Sequence, residues 1–334
     1  MNRSISARLK RVSLAGSLLS LATGATLASD PMPLTSRPEP DWLRRATVYE
    51  IFPRQFSPAG NLAGVTAKLD DLKDLGVTIL WTMPLHPIGE KFRKGDLGSP
   101  YSIKDYYAID PHYGTLDDYR ALVKGAHQRG MKVIMDLVAN HTAWDSVMMT
   151  NKNFYKQDAQ GNVISPVPDW SDVAGLNYQD AGLRTYMIDM LKYWVRECDV
   201  DGFRCDAASM IPVDFWQQVR TDLTAVKPDI ILLDEAEDAT YLAKAFDFDY
   251  SWRLLSTLNQ VVIHGAPASE LQTSWEESRR QWPTGALRLR ISDDHDETRA
   301  VARYGMKGAL AASALMFTLD GLPLIYNGME VGDA

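Results

Sequence analysis

The feature that most constrains this chain is a repeated alternation of short β-rich runs with segments of helical period. Eight such runs recur, at 48–52, 78–83, 132–138, 202–206, 230–235, 245–249, 287–292 and 323–326. Several are almost continuously apolar, as strands buried on both faces must be. Between them, Leu62, Val65, Leu69, Leu72 and Leu75 share one helical face, which Gly76 ends. Thr115 followed by Asp118 forms a capping box ahead of Tyr119, Leu122, Val123 and Ala126. Further faces run through Leu183, Met187, Leu191 and Trp194, and through Phe215, Val219, Leu223 and Val226. Eight strands alternating with helices predict a parallel (β/α)8 barrel. The competing open, doubly wound sheet would place a glycine-rich turn after its first strand, where this chain has Pro53, Arg54, Gln55 and Phe56. The long connection after the third strand begins with a polar, aromatic stretch, 141–180, expected as a short domain inserted over the barrel mouth.

The N-terminus has a different character. Arg3, Arg8, Lys10 and Arg11 precede an apolar stretch from Val12 to Leu27 that ends in small residues. This is the order of a secretory signal, with cleavage expected after Ala28. The stretch is too short and too interrupted by Ser, Thr and Gly to span a bilayer, which takes roughly 20 apolar residues. Residues 1–28 are therefore expected to be a signal peptide, 29–45 an irregular lead-in and 46–334 the barrel, on an exported protein, periplasmic or extracellular. Loss of the four leader cations would take the net charge from −8 to −12. That balance argues against a nucleic-acid partner. Cys198 and Cys205 are too few for a disulfide scaffold and read as buried thiols.

In such a barrel, chemistry belongs at the C-terminal strand ends. Polar groups collect there: Asp136, Asn140 and His141 on the third strand, Arg204 and Asp206 on the fourth, Asp234 and Glu235 on the fifth, and Asp293 to Asp296 after the seventh, with His295 among them. A single acid at one strand end is commonly a helix cap or rim charge. Four such ends converging on one mouth, with an Arg and two His, point to a site. Two chemistries fit the residues. Metal-assisted hydrolysis is one, although the histidines lack helical i, i+4 spacing. Glycoside hydrolysis is the other, needing one carboxylate as nucleophile and one as acid, about 5–5.5 Å apart in retaining enzymes. Nine Trp and 14 Tyr suit the stacking of sugar faces.

The strand-end strings resemble the α-amylase family of glycoside hydrolases (family 13). Asp136 to His141 is similar to its first signature, Gly202 to Asp206 to its second, Glu235 to its third, and His295 with Asp296 to its fourth. Leu176 and Asn177 resemble an additional signature late in the inserted domain, and Tyr326 to Glu330 the end of the eighth strand. The resemblance implies Asp206 as nucleophile, Glu235 as general acid/base and Asp296 as the third carboxylate. It implies Tyr101, His141, Arg204, His295 and Asp136 as substrate-binding or orienting residues, and Asn140 as a candidate calcium ligand. No organic cofactor is expected. The substrate it implies is an α-glucan or maltooligosaccharide, cut at internal α-1,4 bonds with retention. Cyclodextrin- or pullulan-degrading enzymes and transglycosylases or isomerases of the same family are alternatives, as is a non-catalytic or truncated inactive relative. Asp294 stands where the family usually has Asn, and Glu237, two residues beyond Glu235, competes with it for the same face. The final barrel helix and a C-terminal β-sandwich are expected to be missing after the eighth strand, leaving apolar surface on that strand exposed.

Overall fold

A computed structural model describes residues 35–334; the leader read at 1–28 and the first part of the lead-in lie outside the described residues. All eight expected runs form strands of one closed parallel barrel. These are β1 (Val48–Ile51), β2 (Ile79–Thr82), β3 (Lys132–Val138), β6 (Gly202–Asp206), β7 (Ile231–Asp234), β8 (Phe248–Tyr250), β9 (Leu287–Arg290) and β10 (Leu322–Tyr326). Going round the ring they run β1, β10, β9, β8, β7, β6, β3, β2, so the last strand pairs with the first. The remaining two, β4 (His141–Ala143) and β5 (Val173–Gly175), form a small antiparallel sheet inside the excursion that follows β3. The sequence pattern, expecting irregular chain there, had not indicated it: three-residue strands carry too little alternation to be recognised.

Strand alternation sorts the side chains. Val48, Ile79, Ile134, Ile231, Leu233, Phe248, Leu287, Leu289, Leu322 and Leu324 form one apolar cluster through the barrel interior. One step toward the C-terminal ends, the interior turns polar, with Glu50, Asp136 and Arg204 all fully buried. The outward set, including Tyr49, Leu80, Val133, Phe203, Cys205 and Leu232, packs in the layer between strands and helices. There it meets Tyr119, Leu122 and Val123 of the helix Leu116–Gln128, Leu183, Met187 and Trp194 of Ala181–Cys198, and Phe215 and Val219 of Val213–Val226. The Thr115–Asp118 capping box is formed in both directions. Both cysteines are buried and unpaired with each other. No helix of the described residues is long and apolar enough to cross a membrane.

Three expectations change. The single helix over Leu62 to Leu75 is two, Leu62–Thr66 and Leu69–Asp74, because Lys68 (φ −108°, ψ 8°) leaves the helical region between them; Leu75 then turns outward. Asp234, counted among the groups at the mouth, faces out of the barrel beside Asp249. The eighth strand is not the exposed apolar surface. Ile325 is buried in the same cluster as Tyr49, with Met329 packed against it, whereas the exposed apolar residues Met306, Leu310 and Phe317 lie on the helix Ala300–Thr318.

Gly202 opens β6 at a point of close backbone approach: a Cβ there would lie 1.9 Å from the Ile231 carbonyl oxygen on β7. That neighbour is main chain and cannot rotate away. Gly202→Ala should therefore destabilise the barrel by about 3 kcal/mol, read as a lowered midpoint in thermal or urea denaturation. An unchanged midpoint would show that the β6–β7 spacing is not tightly set.

Candidate active site

The cleft at the barrel mouth, about 460 Å³, is lined by Tyr101, His141, Trp170, Asp172, Asp206, Ala207, Glu235 and Asp296, with Lys94, Gly98, Ser99 and Val173. Each strand end delivers its residue for a simple reason. β3 and β6 run parallel with Asp136 opposite Arg204, so these two face each other inside the ring. Two residues further along β6, Asp206 shares that face one layer higher. β7 ends at Asp234, and the chain then turns, carrying Glu235 over the mouth. Glu237, which strict alternation would have placed beside Glu235, instead pairs with Arg288 at 2.8 Å and accepts the Arg253 N–H, away from the cleft.

Arg204 is the hub. With no solvent exposure, its Nη1 reaches Asp136 at 3.1 Å and Asp206 at 3.1 Å, and its Nη2 reaches Glu235 at 2.7 Å. Glu235 also accepts the Ala207 N–H at 2.8 Å. Ala207 sits in the left-handed region (φ 46°, ψ 39°), a conformation that costs a non-glycine residue about 1–3 kcal/mol and clusters at functional sites. That twist, immediately after Asp206, aims the amide at Glu235. Burial and the charge of Glu235 push Asp206 well above the ordinary carboxylate range, against the pull of Arg204. The two acids thus compete for one cation, and the charge of Glu235 favours the protonated form of Asp206.

Beneath the cleft, Asp136 is fully buried and accepts hydrogen bonds from Trp81 Nε1 (3.0 Å), Tyr101 Oη (3.1 Å) and Arg204. Burial outweighs Arg204 and moves its pKa up to about 6. His295 lies with one ring nitrogen 2.5 Å from Glu50 and the other 2.7 Å from Tyr101 Oη, its ring stacked on that of Tyr101. Burial would lower its pKa, but the charge and hydrogen bond of Glu50 prevail and raise it to about 10. This stabilises the fold fully below the unfolded value of about 6.5, a contribution lost as pH rises through about 10. His141 is the opposite case: burial holds it neutral, with a pKa of about 4.

Of the residues expected to touch sugar, Tyr101 and His141 line the cleft, as do the three carboxylates. Asp136, Arg204 and His295 do not; they stand behind it, occupied with one another and with the carboxylates. Asn140 is buried with its amide nitrogen beside His141 Nδ1 (3.4 Å) and Met210 Sδ (3.6 Å). A thioether is a poor neighbour for calcium, which takes oxygen ligands, and among the described residues no group of three or more His, Cys, Asp or Glu is placed to hold a metal ion. Asn140 thus presents its amide nitrogen to His141 and Met210, and no step is routed through a metal ion.

Trp170 lines the cleft edge-on to His141, with ring centroids 5.4 Å apart, while Trp144 donates to the Ser171 carbonyl and packs on Phe92. Glu50 was missed altogether, although an acid in the apolar run of β1 was a visible signal.

Asp294 is buried with Oδ1 accepting the N–H groups of Asp296 (3.1 Å) and Glu297 (3.0 Å), while Oδ2 has no hydrogen-bond partner among the described residues. Burial and the nearby Glu50 move its pKa up to about 7. Its raised value means stability is lost as pH rises from about 4 through 7. Asp294→Asn keeps the Oδ1 acceptor and removes that loss. The variant should match the parent near pH 4 and exceed it by about 1–3 kcal/mol at pH 8, measured by denaturation at both pH values; equal stability at pH 8 would refute this.

The chain matches the model of the alpha amylase catalytic domain over residues 40–164 and 167–334. It is 29% identical to alpha-amylase 3 of Dictyoglomus thermophilum, over 87% of this chain and 65% of that protein. It is also 29% identical to a cyclomaltodextrinase of Thermoanaerobacter pseudethanolicus, over 88% of this chain and 58% of that protein. The chain thus spans less than two thirds of the length of these two relatives. Among solved structures, an α-amylase from Lactobacillus plantarum superposes with a TM-score of 0.81 at 39% identity, covering 86% of this chain and 72% of that one.

Proposed function

The chain belongs to the α-amylase family of glycoside hydrolases, and we propose that it cleaves internal α-1,4-glucosidic bonds of starch or maltooligosaccharides with retention of anomeric configuration. The observation that carries this reading is the single buried guanidinium of Arg204 bridging Asp206 and Glu235 at the floor of one cleft. One cation touching both acids sets nucleophile and acid in the same cleft, the arrangement a double displacement uses with carboxyls about 5–5.5 Å apart. Asp206 attacks the anomeric carbon as the glycosidic C–O bond breaks, and Glu235 delivers its proton to the departing oxygen. Glu235 then takes a proton from the water that releases the sugar from Asp206. Asp296, largely exposed on the cleft wall, is positioned to bind sugar hydroxyls. Tyr101, Trp170 and the neutral His141 supply flat faces and a ring N–H around the same point.

A second reading is favoured by the cyclomaltodextrinase relative: a cyclic maltooligosaccharide as the preferred substrate of the same chemistry. We also propose that the protein is exported, on the basic and apolar order of residues 3–28.

Product analysis of the purified chain on starch, β-cyclodextrin and pullulan separates the two substrate readings. Linear maltooligosaccharides released first from starch support the leading one, and preferential opening of the ring supports the second. The first product should carry the α anomer by NMR. Glu235→Gln should lower kcat by about 10²–10⁴-fold, and a rate within a few-fold of the parent would remove Glu235 as the acid.

A further inference from the structure

Glu50 is a fully buried carboxylate inside the barrel that the proposed chemistry leaves unused. It occupies β1 opposite Trp81 on one neighbouring strand and Tyr326 on the other. A lone carboxylate there would be costly, and it has one partner, His295 Nδ1 at 2.5 Å. The heavy-atom distances along the chain that follows assign its donors and acceptors once Asp136 is ionised. Asp136 accepts from Trp81 and Arg204 and, where it is ionised, above about pH 6, accepts from Tyr101 as well. A phenol has a single proton. With that proton directed at Asp136, Tyr101 Oη accepts from His295 Nε2, 2.7 Å away. The other ring nitrogen faces the Glu50 carboxylate and donates to it. Both ring nitrogens therefore carry protons.

We infer that Glu50 is a positioning residue for the proposed hydrolysis, holding His295 as a fixed imidazolium behind the cleft wall. The value of that cation lies in what its outer N–H serves. Nε2 stands 2.7 Å from Tyr101 Oη and 3.5 Å from Asp296 Oδ2, and both of those residues line the cleft. One charged ring fixes the phenol by a hydrogen bond and attracts the third carboxylate by its charge. A neutral ring would be free to leave its only proton on Nδ1 and release both. The groups facing the ring are Glu50 from β1, Asp136 from β3, Arg204 from β6, Tyr101 from the segment before the helix Leu116–Gln128, and Asp294 and Asp296 from its own loop. Acids outnumber the single Arg, and Glu50 is the one in direct contact at Nδ1.

This inference rests on the hydrolase reading for its kinetic arm only. Histidine-selective 15N labelling of the whole chain, with the His295 signals assigned by their loss in His295→Asn, should show an imidazolium from pH 5 to pH 9. Glu50→Gln should bring its deprotonation down toward neutrality. The same variant should lower kcat by about 10- to 100-fold, the effect of losing a hydrogen bond to a charged group, with KM changed only a few-fold and the alkaline limb of the kcat profile moved toward pH 7. Glu50→Asp, which keeps the charge, should restore part of both. A neutral His295 at pH 8 in the parent protein overturns the inference, and so does a Glu50→Gln enzyme with an unchanged pH profile. If the parent hydrolyses no α-glucan, the hydrolase reading fails and the titration still decides Glu50. If Glu50→Gln does not fold, the parent titration decides alone.

Discussion

A guanidinium with no solvent contact sits at the centre of this barrel, and the upper half of the molecule is arranged around its charge. Isolated in an apolar interior, the Arg204 cation would cost far more than any single interaction returns. It is instead in ion pairs with three carboxylates and lies over the rings of Trp81 (5.0 Å) and Tyr250 (5.7 Å). One positive charge cannot balance Asp136, Asp206, Glu235 and Glu50 together. The imbalance is reduced from two directions: His295 contributes a second cation, and burial with the charge of Glu235 favours the protonated form of Asp206. Reactivity follows from that arithmetic. A glycosidase needs one protonated and one ionised carboxylate side by side, and a site with more acids than cations favours holding a proton.

The fold was legible because the constraint on it is global and repetitive. A strand buried on both faces must be apolar almost throughout, and eight such runs separated by helical segments leave few architectures. The places where the reading failed are local. Lys68 breaks a helix whose apolar spacing looked continuous, because periodicity records which face is buried and says nothing of one residue's dihedral angles. Asp234 faces outward because it alternates with the inward Leu233, and it is Glu235, just past the end of β7, that the turn carries to the mouth. The small sheet of β4 and β5 is held by loop hydrogen bonding and by its place over the mouth, and three-residue strands leave no periodic trace.

The site was legible in its identities more than in its depth. Motif position picked out Asp206, Glu235 and Asp296, and all three line one cleft. It could not separate residues that face the cleft from those that support the ones that do. Asp136, Arg204 and His295 sit in the same strings as the lining residues, yet they stand one layer down, because successive inward positions of a tilted strand lie at different heights in the barrel. Glu50 went unnoticed for the converse reason. It belongs to no polar strand-end string, and its meaning depends on a residue 245 positions away.

That distance ties function to closure of the ring. Glu50 is on the first strand, and His295 follows the seventh strand of the barrel, β9. Between them stands β10, hydrogen-bonded to β9 on one side and to β1 on the other. Until β10 is seated, nothing holds β1 against the loop that carries His295, and Glu50 would be a carboxylate without its cation. Directly after that strand comes Asn327, whose side-chain oxygen accepts the Phe52 N–H at 2.7 Å just after β1. Arg299, in the segment that follows His295, donates to the Asn327 carbonyl at 3.0 Å. These two hydrogen bonds tie β1 and the His295 loop to one residue at the top of β10. A chain folded through β9 would already bring Asp136, Arg204, Asp206 and Glu235 together, since these come from adjacent strands. The ion pair that fixes His295, and through it Tyr101 and Asp296, forms only when the ring shuts. Acid and nucleophile are products of neighbouring strands, whereas the wall that orients a sugar before them is a product of closure.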